Sequence, residues 1–389
     1  MLLSKVKLKS IRKSLLKRIG IIGAGIGGLT LAALLQKNGF DVIVFEQAKQ
    51  FARVGAGIQQ SANSIKVLRE LGLESSIRNI AFCPQSWNNR EWDSGEVKYE
   101  LPLGAHYENK YGAPYLLLHR GDLHSAILSK VKPNSVHLHK KFKKYQHHNN
   151  KVVLQFEDGT TDEVDALIGA DGIHSYVREQ MLGTEKPRFT GRVAYRTTFP
   201  ADLLEGKMID DCTKWWGIDR HIVMYYVTPQ KDELYFVTSV PEPEWDNESW
   251  SAKGDLHELR QAFLGFHDQV QHVLHACPDV HKWSLYERDP LEKWNDQQVT
   301  LMGDACHPMV PYMAQGASMA IEDAAVLTRV MCKTDNFTDA FKTFEATRKP
   351  RTSKVQLTSH KNQWMSTRTD SDWVYGYDAW QEPLISSAI

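Results

Sequence analysis

A chain of 389 residues, 42% hydrophobic and 24% charged, is long enough to bury one large core or two modest ones. Its 47 basic and 47 acidic residues cancel, which excludes a global field for nucleic acid or an anionic membrane surface. Five scattered cysteines without a C-x-x-C pair argue against a disulfide framework or a metal site, and no apolar run is long enough to span a bilayer, so a soluble, cytoplasmic protein is expected.

The chain opens on a basic stretch, with seven Lys or Arg up to Arg18 and no acidic residue. Charges interrupt its apolar residues, so it lacks the continuous hydrophobic segment of a secretory signal. A solvated tail over residues 1–17 is expected, ahead of a transit-type peptide or a misplaced start. Arg18 to Ile22 then reads as a short strand, followed by G-A-G-I-G-G and the helical pattern GLTLAALLQKNG. In this strand–turn–helix, Gly23 permits the turn, Gly25 lets a diphosphate approach the backbone, and Gly28 lets helix and strand pack closely. Free amides at the helix start face the phosphates. The next strand, FDVIVFE, ends in Glu46, where an acidic side chain would hold a ribose hydroxyl pair. NAD and FAD share this adenosine diphosphate, so the turn alone leaves the cofactor open.

Two further junctions of the same kind follow. VDALIGADGIHSYVRE gives a strand, then Ala170-Asp171-Gly172, then a helix carrying Arg178. QQVTLMGDACHPMVPYMAQGASMAIEDAA gives a strand ending in Gly303-Asp304, a Pro-punctuated loop and a helix from about Gln315. Ligands bind at the carboxyl ends of strands in open α/β sheets, so three such junctions suggest one long cofactor, FAD. Asp304 could accept hydrogen bonds from a ribityl hydroxyl, and amides at the start of the 315 helix could stabilise charge on a reduced flavin. Each aspartate taken alone equally suits a turn or a helix cap.

Between these junctions, roughly 186 to 290, the composition turns to β-branched and aromatic residues, as in GRVAYRTTFP, HIVMYYVTP and ELYFVTSVP. An antiparallel layer covering a substrate pocket is expected there. Most of its aromatics (Trp215, Trp216, Tyr226, Trp245, Trp250) are expected to fill core.

With the three cofactor stretches, the strings HRGDLH (119–124), KWW with DRH (214–221), LYFVTSVPEPEWD (234–246) and WVYGYD (373–378) resemble the single-component, FAD-dependent aromatic hydroxylases, and within them the branch acting on 6-hydroxynicotinate. The resemblance covers nearly the whole chain after the tail. It implies an α/β fold: a Rossmann-like FAD-binding domain in three segments (18–75, 114–185, 291–355), a β-rich substrate domain inserted between them (76–113 and 186–290), and a helical C-terminal region (356–389).

The resemblance also implies site residues. Gly27, Glu46, Gln47, Arg120, Asp304 and Ala317 fall at FAD-contacting positions, with Arg53, Gln59 and Gly316 as further candidates. Arg120 suits this chemistry, because a guanidinium holds phosphate through paired donors; His119 and His124 beside it are read as structural. Tyr225 falls at a catalytic position, with His221 and Gln59 as further catalytic candidates and Tyr225, Tyr312 and Cys212 as candidate substrate contacts. Electrophilic hydroxylation needs an electron-rich ring, so a base or proton relay must take the proton of a ring hydroxyl. A tyrosine with an ordinary pKa of ~10 serves as orienter or relay rather than base, whereas His221 has the better intrinsic pKa. Positions 221 and 225 share a face of a regular strand. The 6-hydroxynicotinate branch is expected to carry histidines where this chain has Gln59 and Tyr312. Glutamine cannot titrate, and tyrosine is a poor base near neutrality. The implied activity is hydroxylation of an aromatic or pyridine carboxylate with O2 and NADH or NADPH, with loss of carbon dioxide. Hydroxylation of a salicylate-type, phenol or polyketide substrate is the alternative enzyme, and a flavin-binding redox sensor the alternative outside catalysis.

Overall fold

The computed structural model describes residues 17–53, 56–243, 252–334 and 336–386. Residues 1–16 of the basic tail, and Trp245 and Trp250, lie outside them.

The cofactor half is built on a six-stranded sheet. Its order is Asn295–Asp296, Val299–Leu301, Ala166–Gly169, Arg18–Ile22, Asp41–Phe45, Val136–His137, parallel except for the first pair. All four residues of Ala166–Gly169 and all but the first of Arg18–Ile22 are buried, as expected of strands covered on both faces. The helices Ile26–Lys37 and Gly316–Lys333 pack on each other over this sheet. They approach closely because small residues meet: a Cβ on Gly27 would lie 3.0 Å from Ala320 Cβ. A three-stranded antiparallel meander, Phe142–His148, Lys151–Phe156 and Thr161–Val164, leads into Ala166–Gly169. Nothing in the strand-and-glycine reading singled it out, because its pattern is short and heavily charged.

The second layer is a seven-stranded sheet in the order His281–Glu287, Arg188–Pro200, Glu233–Pro241, His221–Tyr226, Cys212–Trp216, Ser86–Glu91, Val97–Pro102. It is antiparallel except where Cys212–Trp216 meets Ser86–Glu91. A two-stranded ribbon, Gly57–Gln60 with Leu116–His119, joins the layers. This ribbon is clamped on the larger sheet, since a Cβ on Gly57 would meet the Tyr235 ring at 2.5 Å and the Tyr225 hydroxyl at 2.8 Å.

The chain closes on the 24-residue helix Phe337–His360 and the short helix Asp372–Tyr375. The long helix runs straight through the expected division at 355/356. Its buried side chains, among them Phe341, Phe344, Arg348 and Val355, bind it along its length to the cofactor half. No helix among the described residues is long and apolar enough to cross a membrane.

Candidate active site

The glycine-rich turn divides its labour. Gly23 has φ +102°, and a Cβ there would sit 2.4 Å from the Ala170 carbonyl oxygen. A Cβ on Gly28 would come within 2.1 Å of the Gly23 carbonyl oxygen, whereas one on Gly25 would meet nothing within 4 Å. Gly23 and Gly28 therefore hold the turn together, and Gly25 borders open space. The helix Ile26–Lys37 has no side-chain cap and no acidic residue in its first turn, leaving its amides available to an anion. Glu46 sits at the mouth of the turn, accepting hydrogen bonds from Ala24 N at 2.9 Å and Ala48 N at 2.8 Å. Gln47 beside it is exposed. Gly27, by contrast, faces Ala320 and Met302.

His124 supports the turn through a 2.8 Å hydrogen bond between Nε2 and the Ala24 carbonyl. His119 caps the helix Arg120–Leu128 by accepting from Gly121 N. Arg120 begins that helix, and its backbone amide bonds Ala56 O across the ribbon at 2.8 Å. Its guanidinium is open to solvent yet enclosed by protein: burial lowers its pKa and Asp304 opposes the shift. Asp304 is likewise solvent-accessible and enclosed, with burial pushing its carboxyl up and His307 and Arg120 acting the other way. These two opposite charges thus line one recess. The helix Gly316–Lys333 begins at its edge, where a Cβ on Gly316 would lie 3.9 Å from Asp304 Oδ1. Gln315 provides no side-chain cap, and the first turn, including half-buried Ala317, contains no acid.

Arg53 is placed differently from the other cofactor candidates. It lies at the surface in a forked pair with Asp122 at 3.0 and 3.1 Å and a contact to Glu233 at 3.1 Å. Asp171 caps its helix, accepting from Ser175 Oγ at 2.6 Å and Val177 N at 3.2 Å. Arg178 in the same helix donates to the Ala305 and Ile173 carbonyls, tying the second junction to the third.

Sequence reasoning missed the polar cluster beneath the third junction. Asp323 accepts hydrogen bonds from Gly303 N and from Arg348 Nε at 2.7 Å, and pairs with His307 Nε2. Glu322 holds Arg348 and Arg351 and accepts from Asn63 Nδ2 at 2.6 Å. Asn63 reaches Gln315, which donates to Ser61 Oγ. The only signal in the sequence was an acidic pair inside an otherwise small and apolar helix, IEDAA.

On the substrate layer Tyr225 stands opposite Cys212 on one side and Tyr235 on the other, all three buried. Gln59, 7% exposed on the ribbon, accepts a hydrogen bond from Tyr115 Oη and lies beside the Tyr225 hydroxyl. Burial is the largest effect on the Tyr225 phenol and drives its pKa well up; Gln59 opposes it. Tyr225 is therefore held protonated. His221 shares its strand face, but four residues of strand separate the two by about 13 Å. Its ring meets Tyr312 edge-on at 5.4 Å and Trp216 at 5.5 Å. Burial, then Lys214 and Arg192, hold its pKa well below the ordinary value, so His221 is neutral. The Tyr312 hydroxyl is 3.0 Å from Ser239 Oγ, and burial raises its pKa. The structure thus brings Tyr225, Gln59 and Cys212 together at one end of the layer and His221 and Tyr312 at the other. Trp215 stacks on His267 on the opposite face, as core.

The open flank of Gly25, uncapped helix starts and the Arg120–Asp304 recess fit a long dinucleotide of the FAD type. The FAD binding domain family matches residues 17–358. A 6-hydroxynicotinate 3-monooxygenase of Bordetella bronchiseptica is 44% identical over 95% of this chain and 97% of its own, and that of Pseudomonas fluorescens is 45% identical over 96% and 98%. The crystal structure of Klebsiella pneumoniae HpxO complexed with FAD and uric acid matches with a TM-score of 0.80 at 27% identity, covering 92% of this chain and 90% of that one. With these likenesses the chain belongs to the FAD-dependent aromatic-ring monooxygenases, which use NADH or NADPH as reductant.

Proposed function

We propose that this enzyme hydroxylates a hydroxylated pyridine or benzene carboxylate at the carbon bearing the acid group, releasing carbon dioxide, with 6-hydroxynicotinate as the first candidate. The observation that carries the reading is the buried group of Tyr115, Gln59 and Tyr225, which sets two phenols and an amide where they can hydrogen-bond and orient a ring hydroxyl. Identity of 44–45% to two 6-hydroxynicotinate 3-monooxygenases supports the substrate class.

Bound FAD, once reduced, supplies the activated oxygen derived from O2. In the proposed roles, Gly25 and the first turn of Ile26–Lys37 hold the diphosphate, Glu46 the adenosine ribose, Asp304 the ribityl chain, and Arg120 a polar edge of the cofactor. Tyr225, protonated at neutral pH, hydrogen-bonds the substrate's ring oxygen, and Gln59 beside it orients the phenol. Cys212 and Tyr312 contact the ring, and neutral His221 orients it as hydrogen-bond donor or acceptor.

The test is substrate-stimulated NADH and NADPH oxidation with product analysis, using 6-hydroxynicotinate, salicylate and 3-hydroxybenzoate in parallel. The expected result is coupled oxidation and carbon dioxide release with 6-hydroxynicotinate. NAD(P)H oxidation that yields only hydrogen peroxide with every acid would overturn the assignment.

A further inference from the structure

The alternation of the strand Cys212–Trp216 sends Cys212, Lys214 and Trp216 to one face, opposite Tyr225, Val223 and His221 respectively. Lys214 therefore stands between the two ends of the candidate substrate site. It is 3% exposed, and its ammonium lies 3.7 Å from the centroid of the Trp216 ring and 6.0 Å from that of Tyr312. Among the described residues no carboxylate pairs with it, and the charge nearest in effect, Arg192, is also positive. Burial first, and Arg192 second, bring its pKa down to about 7.

An ammonium inside a protein without a counter-charge costs more than contact with one aromatic face returns. Pure packing is better served by Met or Leu at such a position. A lysine here is explained by a visitor that supplies the missing negative charge. Other cations lie on this face: Arg120 at the cofactor recess with Asp304, and Arg196 in the same row across two intervening strands, its guanidinium 3.9 Å from the centroid of the Trp283 ring.

We propose that Lys214 is the specificity-determining residue for the substrate's carboxylate, its ammonium receiving the acid group while Tyr225 and Gln59 hold the ring hydroxyl. The row holding Lys214 lies two strand residues, about 7 Å, from the row of Tyr225 and Cys212. A six-membered ring carrying a hydroxyl and an acid on opposite sides fills that span. The bound anion restores the charge that burial disfavours, so the site is paired only when an acid is in it. This role rests on the reading that the substrate is an aromatic acid.

The test titrates the FAD-loaded full chain by flavin absorbance with 6-hydroxynicotinate, salicylate and 3-hydroxybenzoate, each beside its neutral amide. The parent is expected to favour acid over amide by roughly 10-fold or more, as a charge-assisted contact should. Lys214→Met is expected to raise the Kd of the acid roughly 10- to 100-fold while leaving that of the amide within about 2-fold, and Lys214→Arg to recover part of the loss. Equal losses for acid and amide, or none for either, overturn the role. So does a parent that binds amide as tightly as acid, a readout that requires no variant to fold. If the parent binds only uncharged phenols, the proposed substrate class falls and Lys214 with it; if it binds acids and the Met variant binds them equally well, only Lys214 falls.

Discussion

Asp323 and Arg348 form a buried ion pair at 2.7 Å directly beneath the loop that carries Asp304. The same carboxylate holds Gly303 N, so the pair fixes the backbone next to Asp304. Arg348→Met would leave Asp323 short of a counter-charge and is expected to destabilise the fold by about 3–5 kcal/mol, the usual cost of breaking a buried pair. Thermal melting of FAD-loaded and FAD-free protein checks this, and an unchanged Tm would show the network to be dispensable.

The same cluster sets an acid limit. Burial alone would raise the Asp323 pKa, but His307, Arg348 and the hydrogen bonds overcome it and hold it at about 2. A carboxyl depressed below its unfolded value of ~3.9 contributes stability that is complete above that value and is lost as pH falls toward the folded pKa. Stability should therefore decline between about pH 4 and pH 2, and less steeply in Asp323→Asn. Denaturant unfolding across that range measures the difference.

Tyr225→Phe keeps the ring and removes the buried hydroxyl beside Gln59. With the parent phenol held protonated by burial, the role left to it is hydrogen bonding and relay. The variant should bind FAD normally and lose roughly 10²- to 10⁴-fold in kcat, the range for a positioned proton-transfer group. Turnover at the parent rate would remove Tyr225 from proton handling.

Gln59→His tests the departure from the expected histidine more directly. Gln59 is buried on the ribbon and accepts from Tyr115. A histidine there would titrate at or below ~6.5, since burial disfavours its charged form. The kcat profile should gain an ionisation in that region that the parent lacks, and 6-hydroxynicotinate turnover should rise. A profile superimposable on the parent's would show that position 59 does not handle protons.

How much of this was legible in the sequence depended on whether the signal was local. The turn at Gly23–Gly28, the junctions at Asp171 and Asp304 and the strands around Tyr225 were readable because each carries its own punctuation or alternation. Asp323, Arg348, Glu322 and Asn63 were not, because their partners come from distant segments and no spacing connects position 63 to 322 or 348. Lys214 was visible only as part of KWW; the role proposed for it depends on burial with no carboxylate paired to it among the described residues, which only the folded neighbourhood reveals. Arg53 was readable as a cation, but not as one already paired with Asp122 and Glu233.

The glycines allow fold and cofactor binding to be separated. Gly28→Ala would drive a methyl to 2.1 Å from a backbone oxygen of Gly23, which neither element can give way to cheaply, so the variant should unfold at lower temperature with or without FAD. Gly25→Ala meets nothing within 4 Å, and its backbone at φ −74° suits any residue, so the FAD-free protein should melt as the parent does. Its methyl would instead occupy the space bordering the uncapped amides of Ile26–Lys37. FAD affinity should then fall by roughly 10-fold or more, as when a group that cannot hydrogen-bond is set against an anion site. Fluorescence titration of the FAD-free protein reads the affinity and melting reads the fold. Parent-like FAD binding in Gly25→Ala would move the diphosphate away from this turn.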